Sequence, residues 1–185
     1  MSGFLPFLLS GFEHVIPLGY DHILFIVSLF FIDSRLKTAL FQCTLFTIAH
    51  SLTLAMVALK HISVNAFYVE IIIALSIFFV AIENLFLRNV RPWRLILVFV
   101  FGLIHGAGFA AALLSAGLPE RNRISALLGF NIGVELAQVL LILCCYWLVA
   151  RPLSQKQWYR QKLTNPLSLA IASLALFWAV QRFLQ

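Results

Sequence analysis

Four histidines and three carboxylates lie inside or at the edges of long apolar segments, where ionisable side chains are rare. They are His14, Asp21, His22, His50, Glu70, His105 and Glu135. A charged side chain at the centre of a membrane helix costs about 2.5–3.5 kcal/mol on insertion scales, so such residues usually serve a function. Imidazole nitrogens and carboxylate oxygens together suit a borderline divalent ion such as Ni²⁺, Co²⁺, Zn²⁺ or Cu²⁺. The set therefore predicts a metal site inside a membrane.

The candidate ligands differ in how deeply they lie in the apolar runs. His22, His50, His105 and Asp21 are the strongest candidates, Glu70 and Glu135 follow, and His14 is expected in an outer capture site. Asp21 directly precedes His22, so the acid has two candidate roles, as a ligand or as the group that orients the imidazole. A network that carries protons, or that only makes structural hydrogen bonds, is the alternative interpretation of these residues.

The basic residues occupy loops and helix ends, so the sequence predicts that carboxylates inside the membrane lack Lys or Arg partners. Such acids must be protonated, hydrogen-bonded to one another or compensated by a bound cation. Glu83 has two interpretations, as an inner member of the site or as the partner of Arg88 five residues later. His61 follows Lys60 in a predicted loop and is expected to be solvated.

The composition excludes a soluble domain. Hydrophobic residues make up 62% of the 185 positions, and charged residues make up 11%, against about 25% in an average soluble domain. The mean hydropathy is +0.99. The chain is therefore expected to lie in a lipid bilayer. Its net charge of +6 is attributed to cytoplasmic loops, and no nucleic-acid partner is expected.

Six segments are apolar and long enough to cross a hydrocarbon core, which takes roughly 20 helical residues. They are residues 17–32, 38–59, 67–87, 95–116, 124–149 and 167–184. Residues 4–12 are apolar but too short to cross, and they are expected to form an interfacial or re-entrant helix. The predicted fold is all-α, a single multi-pass membrane domain over residues 1–185.

The distribution of Lys and Arg predicts the orientation, because these residues are enriched in cytoplasmic loops. The loops after the first, third and fifth predicted spans carry nine of the 13 basic residues. The other four are Lys60, Arg121, Arg123 and Arg182. Both termini are therefore expected outside, with Asp21 and His22 at the outer end of the first span.

Helical spacing places the polar residues on shared faces. Asn131, Glu135 and Gln138 recur at i, i+4 and i+7, which is one stripe of a helix. Gly102 and Gly106 form a G-x-x-x-G motif around His105, and residues 129–133 form another around Asn131. Small residues at this spacing allow helices to approach closely. The polar stripes are therefore expected on tightly packed helices.

Five segments together resemble the HupE/UreJ family of bacterial membrane proteins, in its second, shorter-motif branch. They are H-x6-D-H-x2-F from His14 to Phe25, "FTIAHSLTL", "VEIIIALSI", "FGLIHGAGFA" and "FNIGVELAQ". The resemblance implies a multi-pass protein of the bacterial inner membrane associated with nickel or cobalt uptake. It further implies that His14, Asp21, His22 and His105 are functional.

The "HG" motif differs from that of the better-studied branch, where it is longer and carries a second His and a Glu. Here "GLIHGAGFAA" has a single His followed by glycine and apolar residues. The metal bound by that branch therefore does not transfer directly to this chain. Nickel and cobalt are expected, and zinc and copper stay open as alternatives.

Three functions suit such a site. The favoured one is a secondary permease for a divalent transition metal, since no G-x-x-x-x-G-K-[ST] motif for direct use of ATP is present. The alternative is an intramembrane metalloenzyme, a zinc-type hydrolase built on the same His/Asp cluster, with Ser51 beside His50 as a polar partner. A metal sensor or accessory subunit is the third. The coupling ion and the oligomeric state stay open, a homo-oligomer included.

Overall fold

The computed structural model describes residues 4–115 and 122–185, and every regular element in that part of the chain is helical. The elements are α1 (Phe4–Val15), α2 (Tyr20–Phe31), α3 (Leu36–Ala58), α4 (Ala66–Phe86), α5 (Pro92–Ser115), α6 (Arg123–Cys144), a π-helical turn (Cys145–Ala150), α7 (Arg151–Leu153), a second π-helical turn (Arg160–Thr164) and α8 (Asn165–Phe183). The all-α prediction is confirmed. The predicted end of the fourth span at position 116, and Arg121, lie outside the described residues.

Five helical stretches are long and apolar enough to cross a membrane. They are Leu36–Ala58, Ala66–Phe86, Pro92–Ala110, Arg123–Leu153 and Arg160–Phe183. The fourth of these runs from α6 without interruption through the first π-helical turn to the end of α7. These stretches agree with the second to sixth predicted spans. Which side of the membrane each terminus faces stays a prediction.

The first predicted span, residues 17–32, contains only helix α2, and α1 precedes it in the segment that the sequence assigned to a separate short helix. Helices α1 and α2 have 12 residues each and meet at an angle of 67°. At about 1.5 Å per residue, each reaches roughly 18 Å, so neither alone crosses a hydrocarbon core of about 30 Å. Only the bent pair together can serve as a sixth span. The break lies at "IPLG", where Pro17 has no backbone N–H to continue a helical ladder.

Helix α1 packs along α6 within the bundle, and glycines make this contact possible. A Cβ atom on Gly129 would lie 2.5 Å from the carbonyl oxygen of Phe4, and one on Gly133 would collide with the carbonyl of Leu8. The second G-x-x-x-G motif is therefore a packing surface, as its spacing predicts. The segment expected as an interfacial or re-entrant helix is held against a spanning helix.

Helices α3 and α5 also pack closely, and two glycines of α5 make this contact possible. A Cβ atom on Gly102 would lie 2.6 Å from the carbonyl oxygen of Phe46, and one on Gly106 would collide with the backbone of His50. The two contacts advance by four residues on both helices, so the helices run parallel. This packing places His105, next to Gly106, close to His50.

A buried arginine overturns the prediction that the interior carboxylates lack basic partners. The Arg94 side chain is fully buried and forms an ion pair with Glu83, while Arg88 is exposed. Arg94 Nε also donates to Gln42 Oε1 at 3.1 Å. The interpretation that pairs Glu83 with Arg88 was therefore wrong about its partner. Arg94 belongs to the first turn of α5, but its long side chain extends between neighbouring helices, and residue position alone does not show this.

The Arg94 network, defined as Arg94, Glu83, Gln42, Asn84 and the carbonyl of Ser28, joins four helices. Asn84 Nδ2 donates to the Ser28 carbonyl at 2.7 Å, and Arg94 Nη2 approaches Asn84 Oδ1 at 3.4 Å. The Ser28 carbonyl belongs to α2, Gln42 to α3, the acid and amide to α4, and the guanidinium to α5. This network links the four helices to one another at the end of the bundle where α2 and α4 end.

Candidate metal centre

Three histidines converge from three different helices. His14 lies in the last turn of α1, His22 in the first turn of α2, and His50 in the second half of α3. One nitrogen from each ring lies within 4.8 Å of the other two. An ion bound by imidazole at about 2.0–2.1 Å holds its ligands roughly 3–3.5 Å apart, so small side-chain rotations would close the His cluster on an ion. We use His cluster for these three residues only.

The nitrogens of the His cluster lack other partners. Among the described residues, His14 Nε2, His22 Nε2 and both ring nitrogens of His50 are buried without a hydrogen-bond partner. A buried polar atom without a partner costs about 1–3 kcal/mol, and four such atoms at one place are unusual in a native protein. A bound cation would satisfy the atoms that carry lone pairs. The His cluster is therefore a candidate site for a cation.

Aromatic rings surround the His cluster. The ring centroid of Phe109 lies 3.7 Å from that of His14, and Phe109 stacks on Phe130 at 4.7 Å. The ring of Phe46 lies 5.9 Å from His22 and 6.0 Å from His50. These rings exclude water from one side of the site, which strengthens every electrostatic interaction within it. Sequence reasoning missed them, because phenylalanines are abundant throughout this chain.

His105 lies beside the His cluster but is held by a different contact. Its ring centroid is 5.3 Å from that of His22, and its Nε2 lies 2.9 Å from Ser76 Oγ on α4. His105 Nδ1 is buried and has no partner among the described residues. Sequence reasoning singled out the histidine but not Ser76, since a serine in an apolar helix gives no signal by itself.

A cavity of about 680 Å³ connects the histidines with the exposed surface at one end of the bundle. Its lining includes exposed carboxylates, Glu13 and Glu70, and the buried imidazoles of His22 and His105. His14 also lines it. His14 thus belongs to the same group as His22 and does not form a separate outer site. A cation in this cavity would meet acids first and imidazoles last.

Asp21 forms an ion pair with Arg182, a basic residue that the sequence places at a helix end. Arg182 Nη2 in the last turn of α8 lies 2.8 Å from Asp21 Oδ2. Arg182 Nη1 donates to the backbone carbonyl of Glu70 at 2.9 Å. The expectation that the acids inside the membrane lack basic partners was therefore wrong for Asp21 as well. The Glu70 carboxylate itself is exposed at the cavity wall.

Glu135 lies apart from the His cluster. Its Oε1 accepts a hydrogen bond from Thr44 Oγ1 at 2.7 Å, between α6 and α3, and it does not line the cavity. Its Oε2 is buried without a partner among the described residues. Of the seven predicted ligands, the structure places His14, His22 and His50 within a common coordination distance, with His105 and Asp21 next to them. Glu70 lies on the approach and Glu135 elsewhere.

Comparison with protein-family models matches residues 1–182 to the family described as HupE / UreJ protein. The match covers nearly the whole chain and includes the bent helix pair, all four histidines near the site and the cavity walls. No curated protein and no solved structure matches the chain.

Proposed function

The chain belongs to the HupE/UreJ family, and from this premise we propose that it is a membrane permease for a divalent transition metal, nickel or cobalt in the first place. The observation that carries the proposal is the His cluster: the imidazoles of buried His22 and His50 and of partly buried His14 come from separate helices, and their nitrogens lie within 4.8 Å of one another without other partners among the described residues. Neutral imidazole is a ligand common to nickel, cobalt, copper and zinc. The family association with nickel and cobalt uptake supports the first two.

The path of the ion follows from the polarity of the cavity. The exposed carboxylates of Glu13 and Glu70 attract cations to the cavity, and the His cluster binds them after they lose water. His105 lies on the same wall. Protons compete with the ion for every one of these groups, so low pH weakens binding. The positive-inside bias supports an outward-facing cavity.

The buried Arg94 network lies at the end of the bundle where α2 and α4 end, and we take it as the closed side of the transporter. The Arg94 network joins four helices there, with Arg94 fully buried in its ion pair with Glu83. A transporter exposes its site to one side at a time, so a state that is open at the cavity and closed at Arg94 suits alternating access. Release on the other side then requires the helices joined by Arg94 to separate.

The test is accumulation of radioactive nickel or cobalt in cells that express the chain. We expect His22→Ala and His50→Ala to abolish accumulation, since each removes one of three ligands. His61→Ala is the matched control, because His61 is an exposed loop histidine outside the site. Wild-type accumulation by the His22 and His50 variants, at equal amounts of protein in the membrane, would contradict the proposal. A panel with zinc and copper measures selectivity in the same assay.

An intramembrane hydrolase remains the second candidate, and the cavity is the observation that favours it. Three histidines with a fourth position left open for water form the donor set of several catalytic zinc sites. The two functions differ in a measurable way. A permease carries the metal into sealed vesicles that contain only this protein, whereas an enzyme keeps one bound ion and leaves the vesicle interior free of metal.

A further inference from the structure

We propose that Ser76 is a positioning residue that fixes the tautomer of His105, so that His105 presents Nδ1 as a fourth nitrogen to the ion. The inference rests on the proposed metal site and goes beyond it by assigning a role to a residue of α4 and an atom to His105. Its basis is a chain of two hydrogen bonds, from His105 to Ser76 and from Ser76 to the carbonyl of Ile73.

The first step concerns the hydroxyl proton of Ser76. Ser76 Oγ lies 2.7 Å from the carbonyl oxygen of Ile73, in the preceding turn of the same helix. A carbonyl oxygen has no proton, so in this contact the hydroxyl must be the donor. A serine hydroxyl has one proton only. Towards any second partner, therefore, Ser76 Oγ offers lone pairs and acts as an acceptor.

The second step follows for His105. Its Nε2 lies 2.9 Å from the same Ser76 oxygen, which can now only accept. Nε2 must therefore carry the proton, because two lone pairs do not form a hydrogen bond. A neutral imidazole with its proton on Nε2 has its lone pair on Nδ1. The chain of two bonds thus selects one tautomer out of two.

The third step concerns the selected atom. His105 Nδ1 is buried, has no partner among the described residues, and belongs to a ring 5.3 Å from His22 that lines the same cavity. Metal-binding histidines generally donate their second ring N–H to a fixed acceptor, which sets the tautomer and makes the ligand more basic. Ser76 supplies that acceptor from outside the cavity wall, without contacting the ion.

The tautomer can be measured without metal. In protein labelled with ¹⁵N-histidine, with His105→Ala used for assignment, the nitrogen spectrum of the metal-free wild type should show His105 protonated at Nε2. Ser76→Ala removes the acceptor, and the spectrum should then show a mixture of tautomers. A wild-type His105 protonated at Nδ1, or one unaffected by Ser76→Ala, would overturn the inference.

Cobalt binding provides the second measurement, because the visible spectrum of Co²⁺ reports its ligands. We expect Ser76→Ala to weaken Co²⁺ binding about 10- to 100-fold and to change the Co²⁺ spectrum. Ser76→Thr keeps the hydroxyl and should restore both. Ser28→Ala is the matched control, since Ser28 is equally buried and its hydroxyl has no partner among the described residues.

The outcomes separate this inference from the proposed function. A wild type that binds Co²⁺, with Ser76→Ala identical to it in affinity and spectrum, would overturn the role of Ser76 and leave the metal site standing. A wild type that binds none of nickel, cobalt, zinc and copper would overturn the proposed function and the role of Ser76 in metal binding together. A general folding defect would appear equally in Ser28→Ala and would not be rescued by Ser76→Thr.

Discussion

Arg182 and Asp21 form an ion pair with 2.8 Å between guanidinium nitrogen and carboxylate oxygen, directly beside His22. The acid that the sequence assigned to the metal is therefore occupied by a cation of the protein itself. Both side chains are about a quarter exposed, at 22% and 26%. A partly solvated pair of this kind contributes at most about 1 kcal/mol to stability, so it can open without unfolding the protein.

Replacement of Arg182 should lower the metal concentration at which uptake is half-saturated. Arg182→Gln removes a positive charge that repels an incoming divalent ion and releases Asp21 to attract it, which corresponds to a gain of roughly 2- to 10-fold. The measurement is the concentration dependence of uptake. Lys60→Gln is the control, because it removes an exposed loop charge without disturbing Asp21. An unchanged or higher half-saturating concentration for Arg182→Gln would refute this reasoning.

The Arg94 network should be essential for stability. Arg94→Gln leaves the Glu83 carboxylate buried without its charged partner, and removing one member of a buried pair typically costs about 3–5 kcal/mol. Thermal unfolding in detergent measures the loss. Arg88→Gln, which changes an exposed arginine close by, should stay within about 0.5 kcal/mol of the wild type. Equal losses in the two variants would contradict the Arg94–Glu83 ion pair as the source of this stability, and a larger loss in Arg88→Gln would make Arg88 the partner.

Gly106 should not tolerate replacement by alanine. Gly108, two residues later in the same helix, should tolerate it. A Cβ atom on Gly106 collides with the backbone of His50, which cannot rotate away, so α3 and α5 must separate. Such overpacking costs roughly 1–3 kcal/mol, and it also moves His50 away from His22. Gly106→Ala should therefore lose metal binding as well as stability, as measured by Co²⁺ titration and thermal unfolding.

Gly108→Ala is the matched control for this substitution. A Cβ atom on Gly108 meets only the end of the Ile73 side chain at 2.7 Å and a methyl of Val69 at 3.1 Å. The end of an isoleucine side chain can shift, so the cost should be small. If Gly108→Ala weakens metal binding as much as Gly106→Ala, close approach of α3 and α5 is not what forms the site.

Much of this site could be predicted from the sequence, because ionisable side chains are rare in apolar segments and are easily recognised there. A histidine such as His22, His50 or His105 in an apolar run is costly unless it has a function, so its type and depth identify it. The glycine spacing also predicted correctly that α3 and α5 approach closely. The family resemblance also indicates His22 and His105, and it adds His14.

The rest depends on where long side chains reach and where a helix breaks. Arg94 was assigned to a loop and Arg182 to a helix end, yet their guanidinium groups extend to Glu83 and Asp21, because an arginine side chain spans more than one helical turn. The first predicted span, residues 17–32, contains only α2, which has 12 residues and can cross a membrane only together with α1. The sequence alone does not identify Ser76, because its proposed role depends on its contact with His105.

Glu135 is a predicted metal ligand whose side chain does not line the cavity. The stripe it forms with Asn131 and Gln138 predicted a ligand, whereas its carboxylate accepts a hydrogen bond from Thr44 at 2.7 Å, away from the cavity. Glu135→Gln keeps an oxygen for that bond. We therefore expect its Co²⁺ affinity to stay within about threefold of the wild type, or less than about 0.7 kcal/mol.

His22→Ala is the positive control for this experiment, and Co²⁺ titration of the purified variants is the measurement. Loss of one of three imidazole ligands should weaken binding by about 100-fold or more, since an outer partner alone already accounts for 10- to 100-fold. If Glu135→Gln weakens binding as strongly as His22→Ala, the carboxylate is a ligand. In that case α6 must move towards the His cluster when the ion binds, and the Thr44 contact belongs only to the metal-free state.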